Sequence, residues 1–172
     1  MTKNQKKKIE AFVTALPANE REIYRDIAEY AVELGYTPSN EKNTHGIFIA
    51  LVFSKTKISK RLIKIHPPCI YSDETEFKMQ FYGTTEYSEF FHEKLRQDID
   101  AGIAICERQC EKCSGKYVCV YPDGRNGFRC AIHSLVKLSP LGVNNMDEIK
   151  KLMKTQDEFW IEQSRTKLQV NL

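Results

Sequence analysis

Hydrophobic residues recur along this chain at two different spacings, and the change of spacing separates helices from strands. Apolar residues from Ile9 to Leu16 fall three or four positions apart, which predicts a short helix over residues 4–15. A second helix with the same spacing follows, and Gly35 is placed to end it. From residue 46 the spacing is two, which predicts strands at residues 46–54, 60–66 and 76–82.

The second half of the chain shows the same change of spacing. Residues 87–105 carry a helical apolar stripe, and strands follow at residues 117–121 and 128–138. The segment PDGRNG between these two strands is rich in turn formers, so it predicts a hairpin. A last helix buries Trp160.

Grouped strands with helices at both ends indicate the α+β class. Short polar connectors such as SKTK favour antiparallel hairpins. We therefore expect a single antiparallel sheet of about five strands packed against helices. Residues 1–172 are predicted to form one α+β domain, with residues 106–133 as a Cys-rich metal-binding insertion within it.

Composition and charge limit the classes of partner. The 172 residues are 41% hydrophobic and 28% charged, which is typical of a globular chain. A net charge of +3 permits a nucleic-acid partner without requiring one. No run of about 18 apolar residues occurs, and Glu10 interrupts the apolar part of the N-terminus. We therefore expect a cytoplasmic protein without a membrane partner.

Both ends of the chain resemble a known family. The opening IEAFVTALPANEREIYRDIAEY and the ending SLVKLSPLGVNNMDEIKKLMKTQ are similar to the YdhG-like small bacterial proteins. The resemblance implies an architecture similar to that of frataxin, and it implies iron as a candidate cargo. It supplies no functional residue that can be carried over to this chain.

Five of the six cysteines lie between Cys106 and His133. Cys110 and Cys113 form a CxxC knuckle, which can place two thiolates on one tetrahedral metal ion. Gly115 permits the tight backbone that such a knuckle needs. Cys130 and His133 complete the spacing C-x2-C-x16-C-x2-H, which is typical of a zinc site.

The fourth ligand has two candidates. His133 has the better spacing, but CAIHSLVKL also fits an unbroken strand, which a second knuckle would interrupt. Cys106 would share one helix face with Cys110 if the preceding helix continues. An iron–sulfur cluster is the alternative, held by Cys106, Cys110, Cys113 and either Cys119 or Cys130. Cys119 could also face Cys130 across the hairpin, if the turn is centred between Gly124 and Arg125.

The sequence favours binding over catalysis, because no general base, nucleophile or open metal position occurs at a recognisable spacing. Four protein ligands would make a closed, structural zinc site. A weaker hypothesis is a nucleic-acid-associated module that uses a basic segment. Its residues are Lys55, Lys57, Lys60, Arg61 and Lys64.

Overall fold

A computed structural model describes residues 1–69, 72–104, 115–131 and 135–170, with side chains through residue 166. The helices are α1 (Lys3–Thr14), α2 (Arg21–Glu33), α3 (Glu89–Asp100) and α4 (Met146–Val170). The strands are β1 (Thr37–Lys42), β2 (Phe48–Lys55), β3 (Lys60–His66), β4 (Glu76–Met79), β5 (Lys116–Val120), β6 (Asn126–Cys130) and β7 (Val136–Lys137). Within the described ranges, no helix is both long and apolar enough to cross a membrane.

Five strands form one antiparallel sheet in the order β1-β2-β3-β4-β7. β5 and β6 form a separate two-stranded sheet. The predicted α+β class and its five-stranded antiparallel sheet are therefore confirmed, although the predicted hairpin lies outside that sheet. Its place in the sheet is taken by β1 and β7.

The two faces of the sheet differ in polarity. On one face, Ile65 of β3 lies opposite Phe77 of β4, and both are buried. Tyr24 of α2 packs on Phe77 with ring centroids 6.3 Å apart, so this face carries the helical layer. Because side chains alternate along a strand, Lys64 and Lys78 lie on the other face.

The sequence pattern did not predict β1, whose residues TPSNEK show no apolar alternation. β1 lies at an edge of the sheet and pairs with β2. A proline is tolerated at an edge, where one side of the strand needs no ladder hydrogen bonds, and Pro38 occupies such a position. Pairing with the apolar β2, rather than local preference, makes this segment a strand.

The prediction of one strand over residues 128–138 is wrong. β6 ends at Cys130 and pairs with β5, whereas β7 starts at Val136 and pairs with β4. The apolar residues on both sides of this break belong to two different sheets. Strand-forming residues on both sides of the break therefore concealed the change from one sheet to the other.

The helix predicted over residues 87–105 is also shorter than expected. α3 ends at Asp100, and Gly102 follows with a φ of +74°, which a helix cannot continue through. Ile103, which the apolar stripe placed in the core, is 47% exposed. The predicted helix thus continued past Asp100, where α3 ends.

Candidate metal centre and basic cleft

The structure describes one of the five candidate metal ligands, Cys130. Cys106, Cys110, Cys113 and His133 lie outside the described residues. Cys130 is the last residue of β6 and is 8% exposed. Among the described residues, no three His, Cys, Asp or Glu side chains are grouped so that they could hold a metal ion. The ligand set therefore stays a prediction.

Hydrogen bonds at the end of β6 hold together the two residues that flank the segment 105–114. The Cys130 amide donates to the Ala104 carbonyl at 2.8 Å. The next amide, that of Ala131, donates to the Gly115 carbonyl at 3.3 Å. The segment that carries three of the candidate cysteines therefore starts and ends beside Cys130.

The ends of β6 and α3 bear on the choice of fourth ligand. The objection to His133 assumed one strand through residue 138, and that assumption is wrong because β6 ends at Cys130. The argument for Cys106 assumed a continuing helix, but α3 ends at Asp100. His133 and Cys106 therefore stay as alternatives for the fourth ligand.

Cys119 and Cys130 do not face each other across the hairpin. Cys119 lies opposite Gly127, whereas Cys130 lies opposite Lys116. Because Cys130 is three positions beyond Gly127 on one strand, its side chain is on the opposite face from that of Cys119. Burial raises the pKa of the Cys119 thiol, which disfavours the thiolate form that binds metals. This geometry favours Cys119 as a core residue.

Gly115 is required for a different reason than its predicted backbone conformation. Its φ is not in the left-handed region. A Cβ at this position would overlap the ring of Tyr82. That ring is held in place because its hydroxyl accepts a hydrogen bond from Trp160 Nε1 at 2.7 Å. The start of β5 therefore passes directly over a fixed aromatic ring.

Gly115→Ala is expected to destabilise the protein by about 1–3 kcal/mol, because the new methyl group would overlap the Tyr82 ring. Urea unfolding measures the change. Gly142→Ala is the matched control, since a Cβ there meets its nearest atom at 3.6 Å. Equal unfolding midpoints for the parent and Gly115→Ala would contradict this account.

A buried ion pair fixes the hairpin to α3. Arg129 Nε lies 2.8 Å from Asp98 Oδ2, and the two side chains are 1% and 16% exposed. The guanidinium also lies 5.3 Å from the centroid of the Tyr117 ring. Burial raises the pKa of Asp98, and the neighbouring Arg129 lowers it in part. The pair therefore joins the β5–β6 hairpin to α3. The attraction of Arg129 offsets only part of the cost of burying the Asp98 carboxylate.

The predicted basic segment does not form one patch. Lys55 lies 2.6 Å from Asp157 in a largely buried ion pair. Arg61 and Lys64 instead line a cleft of about 580 Å³, here called the basic cleft. The cationic side chains that line it are Arg61, Lys64, Lys78, Arg129 and Lys137.

Three lysines form a row across the basic cleft. Lys64 lies opposite Lys78, and Lys78 lies opposite Lys137 on the next strand. Like charges directly opposite each other repel. Two carboxylates offset this repulsion. Glu76 contacts Lys78 at 2.7 Å and Lys137 at 2.8 Å, and Glu41 contacts Lys64 at 2.7 Å.

The Glu76 carboxylate should make the stability of the protein depend on pH at the acid end. Hydrogen bonds from Lys137 and Lys78 lower the pKa of Glu76 from 4.5 to about 2. A carboxyl group with a lowered pKa in the folded state stabilises the fold above its unfolded pKa, and this stabilisation is lost as the pH falls.

At pH 7, Glu76→Gln should therefore have a lower urea midpoint than the parent, and the difference should shrink from about pH 5 to about pH 2. Glu86→Gln, at an exposed position, is the control and should follow the parent throughout. A difference between parent and Glu76→Gln that stays constant over this range would contradict the role given to Glu76.

Comparisons with known proteins found no matching family model, no matching curated protein and no matching solved structure. The resemblance to the YdhG-like proteins therefore stays a prediction from the two ends of the sequence.

Proposed function

We propose that this chain acts by binding rather than by catalysis, and that a structural zinc ion holds its hairpin in place. The ligands in this proposal are Cys110, Cys113, Cys130 and either His133 or Cys106. A closed site of four protein ligands has no open position for substrate, so its role is to stabilise the fold. Zinc binding then contributes directly to the free energy of folding.

One observation supports this proposal more than any other. Ala104 and Gly115 flank the cysteine segment, and both are hydrogen-bonded to the end of β6, where Cys130 lies. A site that used Cys130 would join the segment to the hairpin at the point where the chain already brings them together. The ion would then add a second connection to the one that Arg129 and Asp98 make with α3.

Elemental analysis and an absorption spectrum of anaerobically purified protein test the proposal. We expect about one zinc per chain, with no broad visible absorption. Broad visible absorption with stoichiometric iron would instead support the iron–sulfur alternative. Substoichiometric zinc and iron together would end the metal hypothesis.

Variants show whether the zinc depends on the predicted knuckle. Cys113→Ser should lose most of the bound zinc. Cys69→Ser is the matched control, since Cys69 is exposed and lies outside the cysteine segment. It should retain the zinc content of the parent.

A further inference from the structure

The basic cleft has more positive than negative groups. Among the described residues, its five cationic side chains are met by three carboxylates, those of Asp98, Glu41 and Glu76. Arg61 is exposed, and no described carboxylate forms an ion pair with it. The excess of positive charge lies on the polar face of the sheet, where Lys64, Lys78 and Lys137 are in register.

The arrangement of the lysines suits an extended anion. Neighbouring strands lie about 4.8 Å apart, so the row from Lys64 to Lys137 is about 10 Å long. Lysine binds phosphate as a flexible point charge, and several lysines can follow one ligand that carries more than one charge. A single small ion would contact only part of this row.

The size and chemistry of the lining argue for a small ligand. A volume of about 580 Å³ lies within the usual range for small-molecule sites. The described lining contains Ile103 and Leu135 as its apolar residues and has no Phe, Tyr or Trp. Single-stranded nucleic acids are generally bound by stacking their bases on aromatic rings, and this cleft lacks such rings.

The pKa of His66 is affected by the positive charges that line the cleft. Burial lowers the pKa of His66, and the charges of Lys64 and Lys78 lower it further. Its Nδ1 lies 3.1 Å from the Ile49 carbonyl oxygen. The lowered pKa disfavours the imidazolium form of His66, and the cationic side chains of the cleft are the lysines and arginines.

We propose that the basic cleft binds the diphosphate group of a small molecule, with Lys64, Lys78 and Lys137 as its main contacts. The ligand would compete with Glu76 and Glu41 for the lysine ammonium groups. The proposal relies on the proposed function only for the idea that the chain acts by binding. None of the proposed zinc ligands lines the cleft among the described residues.

Calorimetric titration of the full chain with inorganic pyrophosphate at low salt tests the proposal. We expect one site per chain. Lys78→Gln should weaken binding by about tenfold or more, because it removes the central charge-assisted contact. Lys57→Gln removes the same charge at an exposed position outside the cleft, and its affinity should stay within about twofold of the parent.

A second variant guards against a folding artefact. Lys64→Gln should weaken binding in the same way as Lys78→Gln, and both should keep the far-ultraviolet spectrum of the parent. In Lys78→Gln, Glu76 keeps its contact with Lys137, and in Lys64→Gln the Glu41 side chain that loses its partner is 35% exposed, so neither change should unfold the sheet. Zinc content measured in the same samples separates a failure of the cleft from a failure of the metal site.

The outcomes distinguish the sources of the diphosphate group. Tighter binding of a nucleoside diphosphate than of pyrophosphate supports a nucleotide ligand, and the reverse order supports an inorganic one. The proposal is overturned if pyrophosphate shows no binding at about 1 mM. It is also overturned if Lys57→Gln and Lys78→Gln weaken pyrophosphate binding equally. The same holds if orthophosphate binds as tightly as pyrophosphate, or if a short RNA binds more tightly than pyrophosphate.

Discussion

Asp98→Asn should destabilise the protein by about 3 kcal/mol, because it removes the carboxylate that contacts the buried Arg129 guanidinium. Burial makes a guanidinium costly unless a negative charge lies beside it. Urea unfolding measures the loss. Amide hydrogen exchange should show that protection falls first in β5 and β6, which Arg129 joins to α3.

An exposed ion pair in the same hairpin supplies the control. Arg125 Nε lies 3.0 Å from Asp123 Oδ2, but the two side chains are 66% and 62% exposed. Asp123→Asn should therefore change stability by no more than about 0.5 kcal/mol. A double variant, Asp98→Leu with Arg129→Met, should recover most of the loss, since two apolar side chains need no charge partner. Equal effects of Asp98→Asn and Asp123→Asn would contradict the role of burial.

Loss of a proposed zinc ligand should lower the local stability of the β5–β6 hairpin more than that of the five-stranded sheet. Metal-binding free energy contributes to folding, so removing one thiolate weakens the part of the fold that the ion holds. Cys113→Ser should therefore speed hydrogen exchange at the amides of Tyr121 and Cys130 by about tenfold or more, equal to about 1.4 kcal/mol of local stability. Cys110→Ser should act in the same way.

Amides in β2 and β3 provide the internal comparison and should exchange as in the parent. Cys69→Ser tests whether the loss of any thiol has this effect, and we expect no change. A chelator should reproduce the Cys113→Ser pattern in the parent protein. Equal thermal stability of parent and Cys113→Ser, both with added zinc and with chelator, would contradict a structural ion.

Periodicity predicted the strands whose two faces differ most in polarity. β3 has the predicted bounds, Lys60–His66, because apolar and charged residues alternate along it. In β4, Phe77 is buried and the neighbouring Lys78 lines the basic cleft, as alternation requires. β1 has no such contrast, so its place in the sheet depends on β2 and could not be found locally.

Register was the property that the sequence did not determine. Val120 pairs with Asn126, and the Tyr121 amide donates to the Arg125 carbonyl at 2.9 Å, so the hairpin turn consists of Pro122 to Gly124. Gly124 takes a φ of +83°. A turn centred between Gly124 and Arg125 would have placed Cys119 opposite Cys130. The three-residue turn moves that centre to Asp123 and places Cys119 opposite Gly127.

The lysine row depends on pairings between strands that are distant in the sequence. Alternation indicates that Lys64 and Lys78 point away from the core, but nine residues separate β3 from β4, so no short turn sets their register. Lys137 joins them through β7, which is two residues long. The basic cleft therefore became visible only once the sheet order was known.

The zinc K-edge absorption spectrum of the purified protein tests the central claim most directly, because it reports the atoms bound to the metal. Three or four sulfur neighbours at about 2.3 Å are predicted, with one nitrogen at about 2.0–2.1 Å if His133 is the fourth ligand. Four sulfurs and no nitrogen would assign that position to Cys106. A shell of oxygen and nitrogen alone, or the absence of bound zinc, would contradict the proposed site.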